Sequence, residues 1–326
     1  REEGDAIHVQ GTDVTPFRKG LVKISNNQIS RCTRRAIKIQ ASNCLIKNNT
    51  YKHELPRASS INFAAAIEVI NGGGCHIESN NLDAIEGVGI VYGGTIKVAG
   101  GSIKNNTIVT GYKSSSDSGW NKGSQRAILA IDIDDLNISD NKCTGGLNSI
   151  EADKCNRVEI KNNTVMESSG SGNAGVGISI GSTCKNPTIT NNTGGSPLYK
   201  RVYFVRTGAP NSVVVNNHVK YLGQVDSSYG CVNISSTAVN SYVAGNSSHC
   251  NVFQTVTGSI SSDSVVVGNV NLGAGVNGGD DLVTRIRSVP STPNSAGKEG
   301  EVSITSSHLY VCVGENNWVR SPLSAW

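Results

Sequence analysis

Large rings, charges and long apolar runs are all scarce in this chain. Aromatic residues make up 5% of its 326 residues, charged residues 17%, and there is a single Met. No apolar run approaches the roughly 18 residues that a membrane-crossing helix needs, so no membrane insertion is expected. The net charge of +4 is small, and no Lys/Arg run interleaves with aromatics, so nothing points to nucleic acid. The nine cysteines contain no C-x-x-C pair; zinc is not expected, and no other metal or cofactor is implied. Their odd number, and the placement of several within or just before apolar repeats, reads as reduced thiols acting as small hydrophobes in a chain that folds in a reducing cytosol. No signal-peptide pattern is visible. Asp5–Gln10 already fills a repeat strand, so further sequence is expected ahead of Arg1.

What is present in quantity is glycine, with 37 residues, and a recurring asparagine. The pattern apolar–x–x–Asn returns at Asn27, Asn49, Asn80, Asn106, Asn141, Asn163, Asn192, Asn217, Asn246 and Asn269. The apolar residue is Ile in the first seven repeats and Val in the last three, Val214, Val243 and Val266. Two residues after the asparagine the side chain is usually apolar, as at Ile29, Tyr51, Leu82, Ile108, Cys143, Val165 and Val219. Successive spacings run from 22 to 35 residues. A minimal unit that lengthens but never shortens is the mark of stacked coils carrying variable loops.

Upstream of each asparagine lies a second motif, such as Ala36–Ile39, Ala66–Val69, Ser149–Ala152 or Val176–Ile180. Its apolar–polar alternation is the strand period. Each unit thus holds two or three short strands, and stacking at about 4.8 Å per unit makes parallel sheets along a rod of roughly 45–50 Å. The expected fold is all-β, a solenoid of about ten coils with parallel sheets. A carboxamide donates and accepts, so a column of asparagines can bond coil to coil, and Asn also tolerates the left-handed backbone of a tight bend. These asparagines are read as structural.

The solenoid is expected over residues 1–272, a linker over 273–299, and a small C-terminal β module over 300–326. So short a module cannot support a core alone, so Trp318, Leu323 and Trp326 are expected to pack on the solenoid end or on another copy. Two repeats are enlarged, at about Lys52–Phe63 and Gly111–Arg126. Loops on a rigid scaffold concentrate binding function, and these carry Tyr112 and Trp120, rings of the kind that stack on sugars.

The outward position of the second motif forms a column expected to read His8, Lys38, Glu68, Val91, Asp132, Glu151, Ser179, Phe204, Asn233 and Gln254. The next outward position adds Asp134 and Asp153. Asp132, Asp134, Glu151 and Asp153 would then share one face of two adjacent coils, unless Ile128–Ala130 fills the slot instead. Residues two apart on a strand are roughly 6.5–7 Å apart and neighbours on adjacent coils about 4.8 Å, close to the carboxyl separations that glycosidic hydrolysis uses. Crowding separates the affinities of two carboxyls for a proton, so one serves as acid and another as base. These four are the catalytic candidates, with Glu68, Arg126 and Lys154 as substrate contacts beside Tyr112 and Trp120. Bases for a lyase are available in Lys38, Arg126, Lys154 and Arg157, but no position singles out a pair.

The repeats resemble right-handed parallel β-helix proteins of the pectate-lyase-like superfamily, which implies that the solenoid is a right-handed single-stranded parallel β-helix of about ten coils. The run G-x-x-G-x-V at Gly297–Val302, then Leu309–Val313 and Asn317–Trp318, looks like a short module at the ends of bacteriophage tailspikes. That resemblance implies a homotrimer of parallel rods on a virion tail. It would bind a bacterial surface polysaccharide, capsule or O-antigen, and cleave it. Paired carboxylates of that group carry over only to Asp132, Asp134, Glu151 and Asp153, by place on the stack. The calcium-binding acids and catalytic arginine of pectate lyases have no counterpart here. Hydrolysis is expected first, β-elimination on an acidic glycan second, and non-catalytic receptor binding third.

Overall fold

The computed structural model describes residues 4–11, 22–32, 35–53, 65–84, 87–110, 126–146, 148–166, 176–196, 203–221, 230–249, 256–271, 289–297, 302–305 and 307–322. Three parallel sheets of 10 strands each run the length of the repeats. Every coil adds one strand to each sheet in turn; the sixth gives Asn148–Asp153, Glu159–Lys161 and Thr164–Met166. Successive coils pair in order, which is a right-handed single-stranded parallel β-helix.

The expected columns exist. In the second sheet Ile103, Ile138, Ile160, Ile189 and Val214 lie in register, each fully buried. Burying each such side chain stabilises by about 1.5–3 kcal/mol. The asparagine column runs unbroken beside it. Asn163 Nδ2 donates to Asn192 Oδ1 at 3.0 Å and to the Ile138 carbonyl at 2.9 Å, while its own Oδ1 accepts from the Asn141 amide at 3.0 Å. The same bonds repeat from Asn49 to Asn246.

One detail differs from expectation. The left-handed residue is not the column asparagine but the one before it: Asn26, Asn48, Ser79, Asn105, Asp140, Asn162, Asn191, Asn216, Gly245 and Gly268 all have φ between 54° and 62°. The bend and the ladder are thus divided between neighbours. Asn, Asp or Gly takes the left-handed backbone at nine of the ten bends and Ser79 at the other, and the next carboxamide turns inward to bond the stack.

The apolar position after the asparagine stacks from Ile29 to Val219, gives way to Ser248 and Asn271 on the last two coils, and is interrupted at Gly194. There a Cβ would lie 2.4 Å from the Phe204 ring, which fills the missing volume. Phe204 is fully buried, so it does not belong to the outward column. Among the described residues eight cysteines are free thiols, and seven of these are buried. Cys44 and Cys155 each donate a backbone N–H to the sulfur on the next coil, Cys75 at 3.4 Å and Cys184 at 3.3 Å. The sulfur–sulfur hydrogen bond, then burial, push the Cys44 and Cys155 thiols up, as suits core packing.

The C-terminal module is a three-stranded antiparallel sheet, Val302–Ile304, His308–Gly314 and Asn317–Pro322. Trp318 is covered from within its own segment. Its ring lies against Gly297, its indole N–H donates to the Ser295 carbonyl at 3.0 Å, and its amide donates to Pro293 at 2.8 Å. This corrects the expectation that it packs on the solenoid end or another copy: the preceding turn shields the ring and takes its donor. Leu323 and Trp326 lie outside the described residues.

Candidate functional site

Each strand of the first sheet turns three kinds of position outward: a central column, a row three residues before it and a row two residues after it. Register fixes the central column as His8, Lys38, Glu68, Val91, Leu129, Glu151, Ser179, Arg206, Asn233 and Thr257. Three expected members are therefore displaced. Leu129 replaces Asp132, Arg206 replaces Phe204, and Thr257 takes the place assigned to Gln254, which lies outside the described residues.

The displacement of Asp132 has a physical cause. The segment Ile128–Asp134 holds two successive apolar–x–apolar triplets, 128–130 and 131–133. Ile128 stacks between Ile90 and Ile150, which sets the first triplet in the column. A register shift between Gly93 and Val98 on the preceding coil, and a φ of 54° at Asp132, then bend the strand. Asp132 falls on that bend, where Lys154 Nζ approaches it at 3.9 Å. Asp134 stands past the bend, beside Ala99 and Asn156, and pairs with Lys97 at 3.1 Å. The four acids are therefore not one constellation.

Glu151 and Asp153 do stay together, two residues apart on the outward face of Asn148–Asp153, a backbone separation of about 6.5–7 Å. Arg126 grips Glu151 with both ends of its fork, Nε to Oε2 at 2.6 Å and Nη2 to Oε1 at 3.0 Å. Asn148 Nδ2 adds a third bond to Oε2 at 2.6 Å. This planar, charge-assisted geometry fixes the carboxylate firmly. Asp153 has no cation beside it among the described residues; Oδ1 accepts from the Thr183 hydroxyl at 2.5 Å. Gly181 on the next coil keeps that flank open, since a Cβ there would meet Asp153 Oδ1 at 2.7 Å. Arg126, expected as a substrate contact, is thus committed to Glu151, and Lys154 leans toward Asp132.

Glu68 belongs to the same column three coils earlier. It is 6% exposed, forms an ion pair with Arg35, and Arg35 also reaches Asp5 at 3.2 Å. Burial raises the Glu68 carboxyl above its ordinary range, outweighing the attraction of Arg35. Between Glu68 and Glu151 the column is apolar, Val91 and Leu129, both buried with Ala65 and Val88. Trp120 and Tyr112 lie outside the described residues. The Arg126–Glu151 pair was missed as a pair because its partners are 25 residues apart, across a loop of irregular length. Alignment of the columns gives the signal: arginine three positions before the column on one coil, glutamate in the column on the next, at both Arg35–Glu68 and Arg126–Glu151.

No family model matches the chain, and no curated protein matches it. Solved structures do. A glycoside hydrolase aligns at TM-score 0.54 and 13% identity over 76% of this chain, which spans 51% of that protein. The DFA-IIIase of Arthrobacter chlorophenolicus A6, without its lid, aligns at TM-score 0.50 and 13% identity, over 82% of this chain and 70% of that one. The Dettilon tailspike protein aligns at TM-score 0.49 and 15% identity, over 93% of this chain and 69% of that one. At such identity the likeness is one of fold, a parallel β-helix.

Proposed function

We propose that this chain is a tailspike-type β-helix that binds a bacterial surface polysaccharide and depolymerises it by hydrolysis at Glu151 and Asp153. The observation that carries the reading is the placement of these two carboxylates on one outward strand, each oriented by a neighbour and the second left without a cation. Their backbone separation, about 6.5–7 Å, suits inversion, in which a water enters between acid and base. Glu151, held as an acceptor by Arg126 and Asn148, fits the base that aligns the water. Asp153, with one oxygen unengaged among the described residues, fits the acid that gives its proton to the leaving oxygen. Assembly as a trimer and a place on a virion tail belong to the same proposal.

The test is incubation with a panel of purified capsular and O-antigen polysaccharides, following chain length by size exclusion and unsaturated sugar by ultraviolet absorbance. Shortening without absorbance supports hydrolysis. Shortening with absorbance replaces it by β-elimination. One observation favours a second, non-catalytic reading: both oxygens of Glu151 are already occupied by Arg126. A glycan that binds and stays intact would select that reading.

A further inference from the structure

The outward face changes character at Asp153. On the coils beyond it the central column continues Ser179, Arg206, Asn233 and Thr257, and the following row continues Gly181, Gly208, Ser235 and Ser259. The preceding row gives Val176 and Tyr203. Among the described residues, none of these positions holds a carboxylate. Among the described residues the exposed Arg206 side chain makes no ion pair or hydrogen bond, in contrast to Arg35 and Arg126 on the same face. The half-buried Tyr203, three residues before it, likewise has a hydroxyl with no partner among the described residues. The two glycines sit in tight surroundings: a Cβ on Gly208 would come within 3.2 Å of Ser182, and one on Gly181 would crowd Asp153. They leave a low floor beside a free guanidinium.

We infer that Arg206, flanked by Ser179, Asn233 and Tyr203, binds an acidic group of the glycan, so that the substrate of the proposed site carries a carboxylate or comparable anion. This rests on the hydrolase reading only for what happens next to it. Arg206 stands two coil steps from Glu151, about 10 Å, on the order of two sugar units along a chain laid over the sheet. A guanidinium accepts a carboxylate through a two-pronged, charge-assisted contact, and the neighbouring hydroxyl and amide groups suit sugar hydroxyls. The apolar coils above Glu151 offer no such contact. Polarity along the column therefore sets the direction of the bound chain: its acidic residue lies toward the C-terminal coils.

The test uses the whole chain and the same glycan panel, in acidic form and after chemical reduction of its carboxyl groups to alcohols. Binding is measured for the unaltered protein, Arg206→Gln and Arg206→Lys at low and moderate salt, and chain length is read in parallel. The expected result is retention of acidic glycans only. Loss of at least about tenfold in affinity is expected in Arg206→Gln, with partial recovery in Arg206→Lys and weakening by salt. The carboxyl-reduced glycan should bind all three proteins equally weakly. Preference for a neutral glycan, equal affinity in Arg206→Gln, or retention of none of the acidic glycans would overturn the inference. Because chain length is separate from binding, a neutral glycan that is shortened would sink this inference and spare the hydrolase. An acidic glycan held through Arg206 but left intact would do the reverse.

Discussion

The molecule builds the same arginine–glutamate pair twice and uses it differently. Arg35–Glu68 and Arg126–Glu151 occupy matching positions on successive coils of one sheet, yet the side chains of the first pair are 7% and 8% exposed and those of the second 18% and 20%. Around Glu68 lie Lys38, Val91 and the Asp5 link through Arg35. Around Glu151 lie Asn148, Asp153 and the open flank at Gly181. Identical local chemistry thus gives a buried tie in one place and an accessible, oriented carboxylate in the other. What decides is the company on neighbouring coils.

The largest effect should separate the pairs at once. Glu68→Ala leaves Arg35 buried with Asp5 alone and should cost about 3 kcal/mol in urea unfolding. Glu151→Gln keeps shape in a more open setting and should change stability by no more than about 1 kcal/mol while reducing glycan cleavage at least about 100-fold. Equal stability losses at the two sites would erase the distinction. Next in size, Asn163→Ala removes the acceptor of the Asn141 amide and side chain and should destabilise by about 1–3 kcal/mol without altering glycan affinity. An unchanged melting temperature would deny the ladder its structural role.

The pH dependence sharpens the contrast further. Because the Glu68 carboxyl is raised in the folded state, the fold holds a proton that the unfolded chain releases at its ordinary value of 4.5. Stability therefore falls as pH rises from there through the folded-state value. Glu68→Gln should flatten that slope, whereas a slope unchanged in the variant would mean another group causes it. Smallest of all, Arg157→Ala breaks an exposed pair with Asp135, 2.6 Å long but open to solvent, and should leave the melting temperature almost unchanged.

Much of this architecture is legible from residue order, and the failures are local. The asparagine ladder and its isoleucine column are fixed by an invariant offset of three, which no loop can disturb. Glu151 and Asp153 are readable because Asn148–Asp153 offers one registration of its apolar residues. Asp132 is not, because Ile128–Asp134 offers two, and only the coils above and below choose between them. Phe204 and Arg206 exchange roles for a reason remote in sequence: Gly194 leaves a hole that a ring from the next coil must fill. Trp318 likewise finds its cover in Pro293–Gly297, a stretch that reads as linker until the indole is seen against it.

The most direct measurement is the release of reducing ends from a bound capsular or O-antigen polysaccharide by the unaltered chain, Glu151→Gln and Asp153→Asn, with melting temperatures taken on the same samples. Steady release by the first, none by either variant and three matching melting temperatures are expected if the outward strand Asn148–Asp153 performs the hydrolysis. Release at the unaltered rate by both variants would contradict it and move the chemistry elsewhere on the rod.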